Sequence, residues 1–144
     1  MARILVADDQ ALVLNAIRSL IENAGEDWHV CATAMNGQQA IDFAVTEKPD
    51  LAILDLRMPV LDGITAGKEI RARLPDTPVL IFTSVDVPRL GLIVKEAGLQ
   101  GAVDKADGNA LLREMRKVLS ESRTTAAGES PRTESPKRRK PGAV

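Results

Sequence analysis

Five short runs, Arg3 to Ala7, His29 to Ala34, Leu51 to Asp55, Val79 to Thr83 and Gly101 to Asp104, are separated by longer segments in which apolar residues recur every three or four positions. This alternation constrains the fold more than any other feature. Most of the short runs are apolar at successive positions, which suits strands of a parallel sheet covered on both faces. The longer segments supply the cover: Leu14, Ile17 and Ile21 form one helical stripe, and Leu111, Met115, Val118 and Leu119 another. Gly25 is a stop for the first helix, Asn36-Gly37 opens a helix that Pro49 closes, Asp62 caps one that stops before Pro75, and Asp86 caps one with Pro88 in its first turn. Five strand–helix units joined by right-handed crossovers predict an α/β fold, a doubly wound five-stranded parallel sheet with strand order 2-1-3-4-5.

Length and composition agree with one such domain: 144 residues, of which 44% are hydrophobic, are enough for a packed core. A single cysteine, Cys31, permits no internal disulfide and reads as a small buried hydrophobe, and a single histidine, His29, makes no zinc site with it. His29 and Trp28 are expected to start a strand at the surface. Neither a signal peptide nor a membrane span is legible, because Asp8 and Asp9 interrupt the first apolar run. The expected location is cytoplasmic. Charge is uneven: residues 1–121 hold 13 Lys and Arg against 18 Asp and Glu, while residues 122–144 hold 6 against 2. The second segment is rich in Ser, Thr and Pro and too poor in apolar residues to order itself, so the boundary is placed near Ser122 between a domain, 1–121, and a disordered basic tail, 122–144.

The acids fall at strand ends. In a doubly wound sheet ligands bind beyond the carboxyl ends of the strands where the order reverses, here between the first and third. Asp8-Asp9 end the first strand, Asp55 the third, Thr83-Ser84 the fourth, and Lys105 follows the fifth. Two carboxylates about 5 Å apart at an effective dielectric near 20 repel by roughly 3 kcal/mol. One lysine offsets one of three carboxylates, and the remaining two charges match a divalent cation. All-oxygen ligation favours Mg²⁺ before Mn²⁺ or Ca²⁺.

Asp8-Asp9, the run Leu54-Asp55-Leu56-Arg57-Met58-Pro59 with Asp62-Gly63, Thr83-Ser84 and Lys105, taken together and in order, resemble the receiver domain of two-component response regulators, with its flavodoxin-like (βα)5 fold. The resemblance covers residues 3 to 121. The helix after Lys105, with the preceding stretch Ala97 to Ala102, looks most like receivers of the NarL/LuxR-type branch, which usually carries a C-terminal helix-turn-helix, although no DNA-binding domain is expected in this chain. The resemblance implies a phosphorylatable signalling switch. Asp55 would accept a phosphoryl group from a phosphohistidine on a sensor histidine kinase or phosphotransfer protein. Asp9, Asp55 and the Arg57 backbone carbonyl would bind Mg²⁺ directly, with Asp8 acting mainly through a water. Lys105, the Thr83 hydroxyl and the Ser84 N–H would hold phosphoryl oxygens. Taken singly, Asp9 reads equally well as a cap of the first helix and Lys105 as one more surface lysine, while the ordinary-strand reading of Thr83 is the weaker of its two.

Two positions depart from the pattern. Many receivers place Tyr or Phe three residues before the lysine, where this chain has Ala102, and the residue after the lysine is Ala106 rather than proline. A switch must then work through Thr83 and the segment after the fourth strand. The Lys105-Ala106 bond is expected to be either strained or trans with a shifted loop. The fourth helix carries a surplus of apolar residues, Val87, Leu90, Leu92, Ile93 and Val94, on the family's output face of fourth helix, fifth strand and fifth helix. An unknown downstream protein or a homodimer could use that face. The alternative is a receiver-like protein-binding module that works without phosphorylation. A turnover hydrolase is not expected, since aspartyl phosphatases place a second acid two residues after the nucleophile, where Arg57 stands. Arg57 and Val85 flank the expected path of attacking water, which predicts a slowly lost phosphoryl group.

Overall fold

The structure is a computed structural model that describes residues 1–85 and 87–129, with side chains as far as Ser122. Ten elements alternate: β1 (Ala2–Ala7), α1 (Ala11–Glu22), β2 (Trp28–Ala34), α2 (Gly37–Glu47), β3 (Leu51–Asp55), α3 (Gly63–Arg73), β4 (Val79–Thr83), α4 (Val87–Glu96), β5 (Gly101–Asp104) and α5 (Gly108–Glu129). All strand pairs are parallel and the order is β2-β1-β3-β4-β5, as the sequence predicts.

Alternate strand residues supply two cores. Ile4, Val6, Ile53, Leu80, Phe82 and Val103 pack against the stripes of α1 and α5. Leu5, Ala7, Ala52, Leu54 and Ile81 pack against Ala40, Ile41, Ala66, Ile70, Leu90 and Val94 of α2, α3 and α4. Every residue of β3 and β4 is buried, which accounts for their unbroken apolar runs.

Local chemistry sets most helix starts. Asn36 Oδ1 accepts the Gln39 N–H at 2.8 Å, and Asp62 Oδ1 accepts the Thr65 N–H at 2.8 Å. Asp107 caps α5 in the same way, accepting the Ala110 N–H at 2.9 Å. The expected cap at Asp86 lies outside the described residues. Helix α1 ends earlier than Gly25 implies: Asn23 is its C-cap, and Gly25, at φ 80°, makes the following turn instead. Helix α5 continues to Glu129, past the boundary placed at Ser122, because backbone i to i−4 hydrogen bonding carries it on without an apolar stripe. Residues 130–144 of the basic tail lie outside the described residues.

Candidate functional site

The β1–β3 register pairs Ala7 with Leu54, so the next residues along, Asp8 and Asp55, emerge side by side at the carboxyl end of the sheet. Ligand oxygens of Asp8, Asp9 and Asp55 lie within 4.8 Å of one another. Asp8 is fully buried and Asp55 nearly so, at 7% exposure, while Asp9 faces solvent. The cap of α1 is Gln10, with no side-chain cap bond, so Asp9 does not act as the helix cap that its position allowed.

Lys105 reaches the pair from the far side of β4. Its Nζ lies 2.8 Å from Asp8 Oδ2 and 3.1 Å from Asp55 Oδ1. Its backbone N–H donates to the Thr83 carbonyl at 2.9 Å, which ties the lysine to the end of β4. Asp8 Oδ1 accepts the Gln10 N–H at 2.9 Å. Its Oδ2 is buried and faces the Lys105 ammonium, an ion pair that leaves the oxygen acceptor capacity.

Burial raises the Asp55 carboxyl above its ordinary range; the Lys105 contact lowers it by less, and the Asp8 charge raises it further. Burial by itself would lower the Lys105 ammonium, but the contacts with Asp8 and Asp55 outweigh it and hold the group above its usual value. Three carboxylates against one ammonium leave surplus negative charge. With acceptor capacity left on Asp8 Oδ2, the all-oxygen donor set fits a hard divalent cation.

Thr83 is buried at 2% exposure and its hydroxyl accepts the Val85 N–H at 3.2 Å, while Ser84 is exposed beside it. An accepting hydroxyl still has its own proton to donate. Arg57 is exposed on the loop after β3, whose base is closed by the Gly63 N–H donating to the Leu56 carbonyl at 2.8 Å. Ala102 lies half-buried against the α4 cluster, and the Ala106 N–H donates to Asp104 Oδ1 at 2.9 Å, a bond proline could not make. On α4, Leu90 and Val94 are buried, whereas Leu92 and Ile93 are 74% and 49% exposed.

Several predicted roles stand away from the site. Cys31 is half-buried on β2, its thiol raised chiefly by burial, and His29 is exposed with Nδ1 3.3 Å from Glu22 Oε2. Trp28 begins β2 and lies under the Arg116 guanidinium, 6.0 Å from the ring centre. Sequence reasoning overlooked Asp107, although an acid three residues before a helical N–H is a recognisable cap signal, and Asp104, which accepts the Ala106 N–H two residues on in a local side-chain turn.

Fold and site together define an α/β domain with an acid pocket at the switch point of a parallel sheet. A family model described as the response regulator receiver domain matches residues 4–117. The chain belongs to that family. It is 35% identical to a protein-glutamate methylesterase/protein-glutamine glutaminase of Methanococcoides burtonii over an alignment that covers 84% of this chain and 34% of that protein. The chain thus spans about a third of the length of that curated relative. The response regulator domain of Thermotoga maritima CheB superposes with a TM-score of 0.77 at 26% identity, covering 83% of this chain and 97% of that one. A LuxR-family two-component response regulator from Aurantimonas superposes with a TM-score of 0.78 at 28% identity, covering 92% and 99%. Among the described residues no helix is long and apolar enough to cross a membrane.

Proposed function

We propose that this receiver is a phosphoacceptor switch in which Asp55 takes a phosphoryl group from the phosphohistidine of a sensor histidine kinase or phosphotransfer protein. The observation that carries the reading is the convergence of Asp8, Asp9 and Asp55 within 4.8 Å, with Lys105 bridging Asp8 and Asp55. In the transfer, one Asp55 oxygen forms the new O–P bond as the P–N bond to the donor imidazole breaks, and the electron pair stays on the imidazole nitrogen. Lys105, already positioned by Asp8, neutralises a phosphoryl oxygen. The Thr83 hydroxyl and the Ser84 N–H are the donors for the others. Asp8, Asp9, Asp55 and the Arg57 backbone carbonyl would hold Mg²⁺, Asp8 mainly through a water. Bound there, the ion supplies positive charge against the carboxylates and the incoming phosphoryl oxygens.

The exposed Leu92 and Ile93 support an output through the α4–β5–α5 face, to a downstream protein or a second copy of the chain. A cytoplasmic location follows from the same reading, since a kinase phosphohistidine is formed there. The test treats the protein with acetyl phosphate and Mg²⁺ and follows phosphoryl incorporation and the amide signals of Thr83 and Lys105. Incorporation is expected in the parent and lost in Asp55→Asn. Equal incorporation in both would defeat the assignment, and partner binding indifferent to Mg²⁺ and phosphoryl mimics would favour a phosphorylation-independent binding module.

A further inference from the structure

Lys105 has a long way to reach. In the strand order β2-β1-β3-β4-β5, the strand that leads to it lies two places from the one ending in Asp55 and three from the one leading to Asp8. Neighbouring strands are about 4.8 Å apart, so Asp55 stands roughly 10 Å from the line of β5 and Asp8 farther still. An extended lysine side chain carries its ammonium only about 6 Å from Cα. Nζ nevertheless lies 2.8 Å from Asp8 Oδ2 and 3.1 Å from Asp55 Oδ1. The backbone must therefore leave the line of β5 at Lys105 itself and bend over the end of β4.

Three hydrogen bonds make that bend. The Lys105 N–H donates to the Thr83 carbonyl at 2.9 Å and holds the chain to β4. Asp104 supplies the other two. Its carbonyl accepts the Asp107 N–H at 3.0 Å, closing a four-residue turn, and its Oδ1 accepts the Ala106 N–H at 2.9 Å. The peptides before and after Lys105 are then both fixed, and with them the direction in which its Cα–Cβ bond leaves the chain. The Asp104 side chain is exposed and belongs to neither apolar core, so burial does not account for it.

We infer that Asp104 is a positioning residue for Lys105: its carboxylate oxygen, by holding the Ala106 N–H, aims the lysine across β4 into the acid pocket. The effect on phosphoryl transfer rests on the reading of Asp55 as phosphoacceptor, whereas the placement of the ammonium is measured separately. The test compares the full chain with Asp104→Ala, Asp104→Asn and Asp104→Glu. Asn keeps an acceptor oxygen in the same place and discards the charge; Glu keeps the charge but sets its oxygens one methylene farther out, where the local side-chain turn does not close. Three quantities are read: the rate of labelling by acetyl phosphate with Mg²⁺, the Mg²⁺ affinity from amide shifts, and the reactivity of Lys105 towards trace acetic anhydride. The last is located by mass spectrometry, with the exposed Lys68 and Lys95 as internal references.

Asp104→Ala and Asp104→Glu are expected to label about two- to fivefold more slowly and to raise Lys105 acetylation by a similar factor, the population shift that one net hydrogen bond controls. Their Mg²⁺ affinity is expected at or above the parent's, because carboxylates and a carbonyl rather than Lys105 would hold the ion. Asp104→Asn is expected to match the parent in rate and in Lys105 acetylation. An Asn variant as slow as the Ala variant would overturn the inference, as would a Glu variant equal to the parent, unchanged Lys105 acetylation in Asp104→Ala, or Mg²⁺ affinity lost along with the rate. A parent that takes no label from acetyl phosphate removes the acceptor reading, and the acetylation pattern across the set then decides the placement of Lys105 by itself.

Discussion

Gly63 is the first residue of α3, and a Cβ built there would lie 2.1 Å from the Asp55 carbonyl oxygen, 3.0 Å from the Asp55 carbonyl carbon and 3.2 Å from Leu56 Cα. Ordinary contact distances run to about 3.5 Å, so Gly63→Ala must open this gap by roughly an ångström. Neither side yields easily. Asp55 pairs with Phe82 in the middle of the sheet, and α3 is pinned by the Asp62 cap and by the Gly63 N–H bond to Leu56. Overpacking of this kind costs about 2 to 3 kcal/mol, well above the gain of under ~1 kcal/mol in helix propensity. Gly91, inside α4, is the control, since nothing lies within 4 Å of a Cβ there. Gly91→Ala should stabilise by about 0.5 to 1 kcal/mol. In urea, with a slope of about 1 to 3 kcal/mol/M, the midpoint should fall by about 1 M for Gly63→Ala and rise by a few tenths of a molar for Gly91→Ala. Because the strained atoms belong to Asp55, labelling by acetyl phosphate should also slow in Gly63→Ala. A Gly63→Ala midpoint at or above the parent's would refute the steric reasoning.

The raised carboxyl of Asp55 means that the native state binds its proton more tightly than the unfolded chain does, so metal-free stability falls as pH rises from the ordinary carboxylate value through the folded one. Asp55→Asn lacks that titration and should gain on the parent over the same window, as paired urea titrations without metal would show; a constant difference across pH counts against it. Lys105→Met leaves the buried Asp8 beside Asp55 with no cation between them, and should cost about 2 to 3 kcal/mol in metal-free buffer, partly recovered by Mg²⁺; thermal melts with and without the ion check this. Asp62→Ala removes the α3 cap and should cost about 1 kcal/mol, read as a shift in urea midpoint, with Asp62→Asn close to neutral. Arg57→Gly should shorten the phosphoryl lifetime if that exposed side chain obstructs water, so a decay rate equal to the parent's would remove the explanation.

Much of the architecture was legible along the chain because its causes are local. Hydrophobic periodicity separates strands from helices, and both the two faces of the sheet and the caps at Asn36 and Asp62 follow from neighbours a few residues apart. The membership of the acid pocket was legible for a different reason: charges at the ends of otherwise apolar strands have no place in a core, and the parallel direction of the strands brings those ends to one edge.

Other features depend on positions in space that no local pattern encodes. Whether Asp9 caps α1 or faces the pocket was open until Gln10 occupied the cap position. That Lys105 spans Asp8 and Asp55 depends on the registers of β1, β3, β4 and β5 acting together. The positive φ of Val60, in the loop after β3, is likewise a tertiary result, since the loop's base at Leu56 and Gly63 and its flank at Gly37 confine the turn against the preference of the residue within it. Local sequence therefore determined which segments were strands and helices and which charges could not be buried alone, because those depend on short-range sterics and solvation. Packing between distant segments decided how each charge is partnered and where the backbone is strained.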